Sequence, residues 1–504
     1  MYETETIKEA PMSDIMKLQN GSDIRGIVLE GVDGENVNLD ANLASRIAEA
    51  FVHWLSLKIN KNQVCLNICI GHDSRLSSET MSEALKKGIC MMGARVSDAG
   101  LASTPAMFFA TASPYWEYDG AIMITASHIP YNRNGFKFFT AEGGLDSEDI
   151  RQILVKAGKI NFVGEYYECE EEYIMPRYEM ELKRTIGKLD DMKIVVDAGN
   201  GAGGFFAERV LEKLGADVSG SQFLEPDGNF PNHQPNPENK EAMASICARV
   251  VETGADLGII FDTDVDRSAA VSPSGKPISR NEIVALAAAL KASEHPGGTV
   301  VTDSITSNEL TEFLEKELGL KHYRYKRGYR NVIKKAQELC AAGEDAFLAI
   351  ETSGHAAYSE NSFLDDGAYL AALICKAAGE LKKAGKTIDS LIEKLSSPVE
   401  STEIRFSISA EDFAAVGDEV LAALEKLAAE KDELELVSPN YEGVRVNYAL
   451  PCGDKTARGW FLLRKSLHDP VLPLNIESDT EGGCETVAWM LRQFLGQFEG
   501  VVIK

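Results

Sequence analysis

Missing from this chain are long apolar runs, clustered cysteines and any surplus of positive charge, and each absence removes a class of function. No stretch of about eighteen uninterrupted apolar residues occurs, the length a membrane-spanning helix needs. The opening MYETETIKEA has neither the basic start nor the apolar core of a secretory signal. A cytoplasmic protein with no membrane partner is therefore expected. The nine cysteines are dispersed singly, apart from Cys65 and Cys69, and no second pair lies near those two. That pattern argues against a disulfide framework and against a structural zinc site. Basic residues number 51 against 78 acidic ones, a formal charge of −27. Such a surface repels nucleic-acid phosphate and anionic lipid alike, so no nucleic-acid partner is expected. An anionic substrate would need positive charge gathered locally.

What is present is an ordinary globular composition, 44% hydrophobic, over 504 residues. That length is too great for one core and implies roughly three to five domains. Three segments, 64–89, 192–218 and 299–320, each run from an apolar strand through an Asp and small residues into a helix-like pattern. They predict three related α/β domains. The charged stretch YYECEEEYIMPRYEMELKRTIGKLD reads as an interdomain helix. After about residue 397 the texture changes to a strand, an Ala/Leu/Glu-rich helix and further strands, predicting a smaller α+β domain.

Four stretches carry candidate chemistry. The first is TASHIPYNRNGFKFF, Thr125 to Phe139, which follows the apolar run GAIMI and sets Ser127 at the end of a buried strand. Ligands of open α/β sheets sit at such strand ends. A serine hydroxyl becomes a nucleophile only when its proton is taken or developing charge is stabilised, which draws attention to His128 and Lys137. The second is LGIIFDTDVDRSAAV, an apolar strand followed by Asp262, Asp264 and Asp266 and then Arg267. Alternate carboxylates in an extended loop face one side and repel unless a hard cation, magnesium, sits between them. An EF-hand loop would need Gly at Arg267 and Glu at Pro273, so it fails. An aspartyl-phosphate phosphatase with Asp262 as nucleophile stays open on these residues.

The third stretch, AIETSGHAAYSENSFLDDG, offers Glu351, Ser353 and His355, a set suited to sugar hydroxyls. In the fourth, GWFLLRKSLHDPVLPLNIES, a strand-like run ends in Arg464, Lys465, Ser466 and His468, a compact anion site. Arg25, Arg75 and the group Lys326, Arg327 and Arg330 make other loops locally basic, which supplies the charge an anionic substrate needs.

Together these motifs resemble the α-D-phosphohexomutase family, the phosphomannomutase and phosphoglucomutase enzymes. TASHIP with NGFK is similar to its phosphoserine loop, DTDVDR to its metal loop and ETSGH to its sugar loop, while SDIRG, DAGNGAGG and PDGNFPNHQPNPE also fit. The resemblance implies three related α/β mixed-sheet domains (1-170, 171-276 and 277-397) and a smaller C-terminal α+β domain (398-504) around a central cleft. It implies that Ser127 carries a phosphoryl group beside one magnesium ion per chain, held by Asp262, Asp264, Asp266 and Ser127. It assigns proton transfer and charge stabilisation to His128, Lys137 and Arg25. Substrate binding falls to Arg267, Lys326, Gly328, Arg330, Glu351, Ser353, His355, Arg464, Ser466 and His468. The implied reaction interconverts hexose 1-phosphate and hexose 6-phosphate, with a hexose 1,6-bisphosphate as intermediate and activator, in a monomer or homodimer. Phosphoglucosamine mutase and a non-catalytic sugar-phosphate-binding relative are the alternatives. Four positions depart from the family pattern: Thr263 and Ile350 replace glycines, and Leu467 and His468 stand where the final loop has Gly and Thr. The last change removes a backbone turn and a hydroxyl from the phosphate loop.

Overall fold

The computed structural model describes residues 12–503 except 115, 117, 161–169, 172, 467 and 468. Compact packing divides the chain into two units: one runs to Ile283 and resumes over Ser353–Ser390, the other comprises Val284–Thr352 and Leu391 onward.

The first unit opens with a mixed sheet. Its centre is parallel, with Asn67–His72 flanked by Arg95–Leu101 and Gly120–Ile124. The last of these pairs antiparallel with Arg133–Thr140, which places Met123 opposite Lys137. Arg133–Thr140 in turn pairs with Asp23–Ile27, setting Arg25 opposite Gly135. GAIMI is buried at all five positions, as expected of a strand covered on both faces. Helices Ala41–Lys58, Ser78–Met91 and Ser147–Ala157 contribute to the same core, where Phe51, Ile68, Ile122, Phe138 and Leu154 are all sealed from solvent. Asp40 and the Asp146/Asp149 capping box satisfy the exposed N–H groups that start two of these helices.

A second sheet follows, in which Leu257–Phe261 runs parallel to Ile194–Asp197 and antiparallel to Ser268–Val271. Residues 262–267 are therefore the tip of a hairpin. The helix expected after DAGNGAGG is a π turn over Phe206–Leu211 followed by a short tight turn. Phe205 and Phe206 are both buried at its start, Phe206 against Phe261. The expected interdomain helix spans Met175–Ile186; much of the stretch before it lies outside the described residues. Helix Gly367–Lys383 packs on it and on the hairpin strands.

In the second unit, Lys321–Arg324, Thr299–Thr302 and Leu348–Ile350 form a parallel array. A six-stranded antiparallel sheet built around Val444–Cys452, Lys455–Leu463 and Val471–Ser478 carries helices Phe413–Glu430 and Gly483–Leu495. Arg445 joins these two layers. Its guanidinium lies 3.6 Å from the Trp460 ring centre and donates to the Ser304 and Thr306 carbonyls and to Asn308. The architecture is three α/β domains and a C-terminal antiparallel-sheet domain, as the sequence predicts. Among the described residues no helix is long and apolar enough to cross a membrane.

Candidate active site

Where the strand Gly120–Ile124 ends, the chain turns through Thr125 into Ser127, whose φ is 50°. The Thr125 hydroxyl donates to Asp73 at 2.7 Å and accepts the Ser127 N–H at 2.9 Å. This lets a residue with a side chain hold a left-handed conformation that ordinarily costs about 1–2 kcal/mol. Ser127 Oγ donates to Asp262 Oδ2 at 3.0 Å and accepts from Arg267 Nη2 at 2.9 Å. The serine loop and the aspartate loop thus meet at one oxygen.

The three aspartates converge for a reason other than the expected alternation. The hairpin tip is turned rather than extended, and Val265 takes a φ of 68°, so the chain curls the carboxylates inward. All three are fully buried, and one oxygen from each lies within 4.8 Å of the others. Burial and the charge of Asp266 push the Asp262 carboxyl well up, against the pull of Arg267. Burial acts the same way on Asp266, but Lys137, His355 and Arg267 outweigh it and hold that carboxyl below its usual range. Among the described residues, Asp264 Oδ1 and Asp266 Oδ1 are buried acceptors with no hydrogen-bond donor. Three close carboxylates with orphaned oxygens fit a hard divalent cation.

Around this pair sit most of the first unit's other candidates. Lys137 contacts Asp266 and lies 3.3 Å from Asp264. His128 Nδ1 accepts from Arg267 at 2.7 Å, which leaves the proton of the neutral ring on Nε2. Burial, then Arg267 and Arg25, hold His128 neutral, its pKa lowered to about 2. His355 reaches the metal loop through a backbone bridge to Arg267, and its Nδ1 lies 2.7 Å from Asp365 and 3.8 Å from Asp266. Burial opposes its charge, but Asp365 and Asp266 prevail and raise it to about 9. Gly354 makes that approach possible, because a Cβ there would stand 2.5 Å from the Ser268 carbonyl. Ser353 is buried in this unit with its hydroxyl unpartnered among the described residues.

Arg75 corrects the sequence reading. It is 3% exposed and donates to four main-chain carbonyls of the serine loop instead of facing an anion.

The second unit gathers a separate set. Glu351 accepts the Gly328 N–H at 2.7 Å, and Glu442 accepts the Arg327 N–H at 3.2 Å. Lys326 and Gly328 are exposed, and Arg330 is half-buried. Arg464 is buried with its Nε unpartnered among the described residues, and burial and then the charge of Arg327 lower its pKa. Ser466 Oγ accepts the Asp469 N–H. His468 lies outside the described residues.

Residues 16–162, 171–275 and 279–398 match the models of phosphoglucomutase/phosphomannomutase α/β/α domains I, II and III. The chain belongs to the phosphoglucomutase/phosphomannomutase family. It is accordingly a phosphohexomutase, an intramolecular phosphotransferase. Among curated relatives, a phosphomannomutase/phosphoglucomutase of Pseudomonas syringae pv. tomato is 32% identical over 469 residues, 92% of each chain. A phosphoglucosamine mutase of Acetivibrio thermocellus is 30% identical over 72% of this chain and 79% of its own. A solved phosphoglucomutase/phosphomannomutase family protein from Burkholderia thailandensis superposes with a TM-score of 0.79 at 27% identity, covering 95% of this chain and 97% of that one. The three-aspartate cluster is consistent with the metal site of this phosphohexomutase family.

Several groups at the phosphohexomutase site escape sequence reasoning. Thr104, at the start of helix Thr104–Ala112, donates to Asp264 through both its N–H and its hydroxyl, at 2.9 and 2.5 Å. Gln234 donates to the His128 carbonyl, and Asn236 accepts from Arg267. Both lie in PNHQPNPE, which fits the family without revealing which side chains reach the loops. Asp365 closes the third stretch, where nothing in the sequence ties it to His355.

Proposed function

We propose that this phosphohexomutase interconverts hexose 1-phosphate and hexose 6-phosphate of the mannose or glucose series, with Ser127 carrying the transferred phosphoryl group. The observation that supports this most is the convergence of Asp262 and Arg267 on Ser127 Oγ. Phosphoryl transfer asks a protein mainly for in-line positioning and for positive charge on the phosphoryl oxygens. In the first half-reaction the Ser127 Oγ–P bond breaks as a P–O bond to a hexose hydroxyl forms, giving a bisphosphate. In the second, Ser127 Oγ takes back the other phosphoryl group. Arg267 neutralises charge at Ser127, Arg25 adds a second cation near His128, and the neutral His128 ring helps to orient the loop. Lys137, buried beside Asp264 and Asp266, is the group assigned to proton transfer with the reacting hydroxyl. Asp262, Asp264, Asp266 and Ser127 would hold one magnesium ion, which when bound acts as a Lewis acid on the phosphoryl oxygens. Glu351, Ser353 and His355 engage sugar hydroxyls; Lys326, Gly328, Arg330, Arg464, Ser466 and His468 engage the far phosphate.

The mannose or glucose reading rests on the Ser-Gly-His sugar loop and on the longer span shared with the Pseudomonas relative than with the glucosamine enzyme. A coupled assay of glucose 1-phosphate, mannose 1-phosphate and glucosamine 1-phosphate, with a bisphosphate activator present, tests it. Turnover of the first two is expected. Preference for the glucosamine ester transfers the assignment to phosphoglucosamine mutase, and turnover of none overturns it.

A further inference from the structure

We infer that Arg75 is a positioning residue that aims the backbone N–H of His128 at the phosphoryl group on Ser127. The inference rests on the phosphoserine reading above and adds a donor that no side chain supplies.

The Arg75 guanidinium grips the loop from beneath. Nη2 donates to the Ser127 carbonyl at 2.5 Å and to the Ile129 carbonyl at 2.6 Å, and Nη1 donates to the Pro130 and Arg133 carbonyls, each at 2.8 Å. Asp73 pairs with Arg75 Nε at 3.3 Å and also accepts from the Arg75 N–H, Ser78 and Thr125. The Phe230 ring lies 5.4 Å from the guanidinium carbon, on a loop where Gly228 approaches the Arg75 backbone closely. Arg75 is thus walled off from any substrate.

A trans peptide is planar, with its C=O and N–H pointing opposite ways. The carbonyl of Ser127 belongs to the peptide that carries the His128 N–H. Anchoring that carbonyl on Arg75 therefore turns the His128 N–H away from Arg75. Among the described residues this N–H has no acceptor, so its capacity to donate is unspent. The other side of Ser127 is fixed as well, since Thr125 takes its N–H. Both peptides flanking the serine are held, and the left-handed φ between them persists because of it. Ser127 Oγ takes its partners from the side chains of Asp262, Arg267 and His128, so a phosphoryl group on that oxygen gains the adjacent N–H as a further, preorganised donor. Lysine cannot replace Arg75, because a single ammonium lacks the fork needed to span four carbonyls.

Full-length protein labelled with 15N-histidine tests this directly, since eight histidines give few amide signals. The protein is compared before and after incubation with hexose 1,6-bisphosphate, with Ser127 phosphorylation followed by intact mass and the His128 signal assigned by its loss in His128→Gln. A downfield shift of the His128 amide proton on phosphorylation is expected. Arg75→Lys should lose that shift and lower kcat about 10- to 100-fold with little change in KM, the signature of misplacement. Thr125→Val, which removes one hydroxyl, should act in the same direction and covers the case in which Arg75→Lys does not fold. Phosphoserine with an unmoved His128 amide, or variants that keep both the shift and kcat, overturns the inference alone. Absence of phosphoserine overturns it together with the function it rests on.

Discussion

Arg267 Nη2 donates to Ser127 Oγ at 2.9 Å while the same guanidinium holds Asp262 through Nε and Nη2, at 3.0 and 2.8 Å. The serine oxygen lies between a cation and a carboxylate, and the guanidinium fork fixes both distances at once. Arg267→Lys keeps the charge but loses the fork. Its kcat should fall about 10²- to 10³-fold, as when one donor to developing charge is removed. Steady-state kinetics should show KM for the hexose phosphate changing far less.

Metal removal gives the second prediction. Three fully buried carboxylates crowd one point, so a divalent cation should stabilise the fold by mass action as well as support activity. Chelator-treated protein should lose activity and unfold at a lower temperature, and magnesium should restore both. In Asp264→Asn the thermal response to magnesium should shrink. Full activity after exhaustive chelation would contradict the site.

Glu49 supplies a stability switch remote from the chemistry. Burial raises its pKa to about 7, with Arg46 and Lys87 offsetting only part of the effect. The fold therefore binds a proton that the unfolded chain releases at an ordinary carboxylate pKa. Sign follows from that difference: the protein is favoured at low pH and loses stability as pH rises from about 4.5 through about 7. Glu49→Gln should raise the unfolding midpoint at pH 8, with the gain fading toward pH 5 in a thermal-melt series.

Much of this arrangement was legible because local chemistry and strand pattern agreed. GAIMI reads as a buried strand, and the loop after it has to carry Ser127 at the strand's end. The carboxylates of DTDVD demand a cation whatever the surrounding fold. Less visible was anything set by tertiary register. Arg75 looks like a surface cation in GHDSR, yet its four carbonyl partners begin 52 residues later. His355 meets Asp266 only because a backbone bridge joins two distant loops, and no spacing within ETSGH records that bridge. The curl of the aspartate loop depends on Val265 adopting a positive φ, a conformation β-branched residues seldom signal.

Arg445 carries the prediction for the second unit. Its removal leaves the Ser304 and Thr306 carbonyls without their donor and strips the cation from the Trp460 face. Arg445→Met should destabilise the protein by about 2–4 kcal/mol, the range for breaking a buried hydrogen-bond network. Denaturant unfolding should show a lower midpoint, and Lys335→Met, whose ammonium lies over the half-buried Tyr325 ring, should change it much less.

The central claim is that Ser127 Oγ accepts and returns a phosphoryl group. Intact-mass measurement of wild-type protein and Ser127→Ala after incubation with hexose 1,6-bisphosphate tests it most directly. The account predicts one phosphoryl increment on the wild type, discharged by added hexose monophosphate, and none on Ser127→Ala. An increment that survives the substitution, or a Ser127→Ala protein that still interconverts the hexose phosphates, would contradict it.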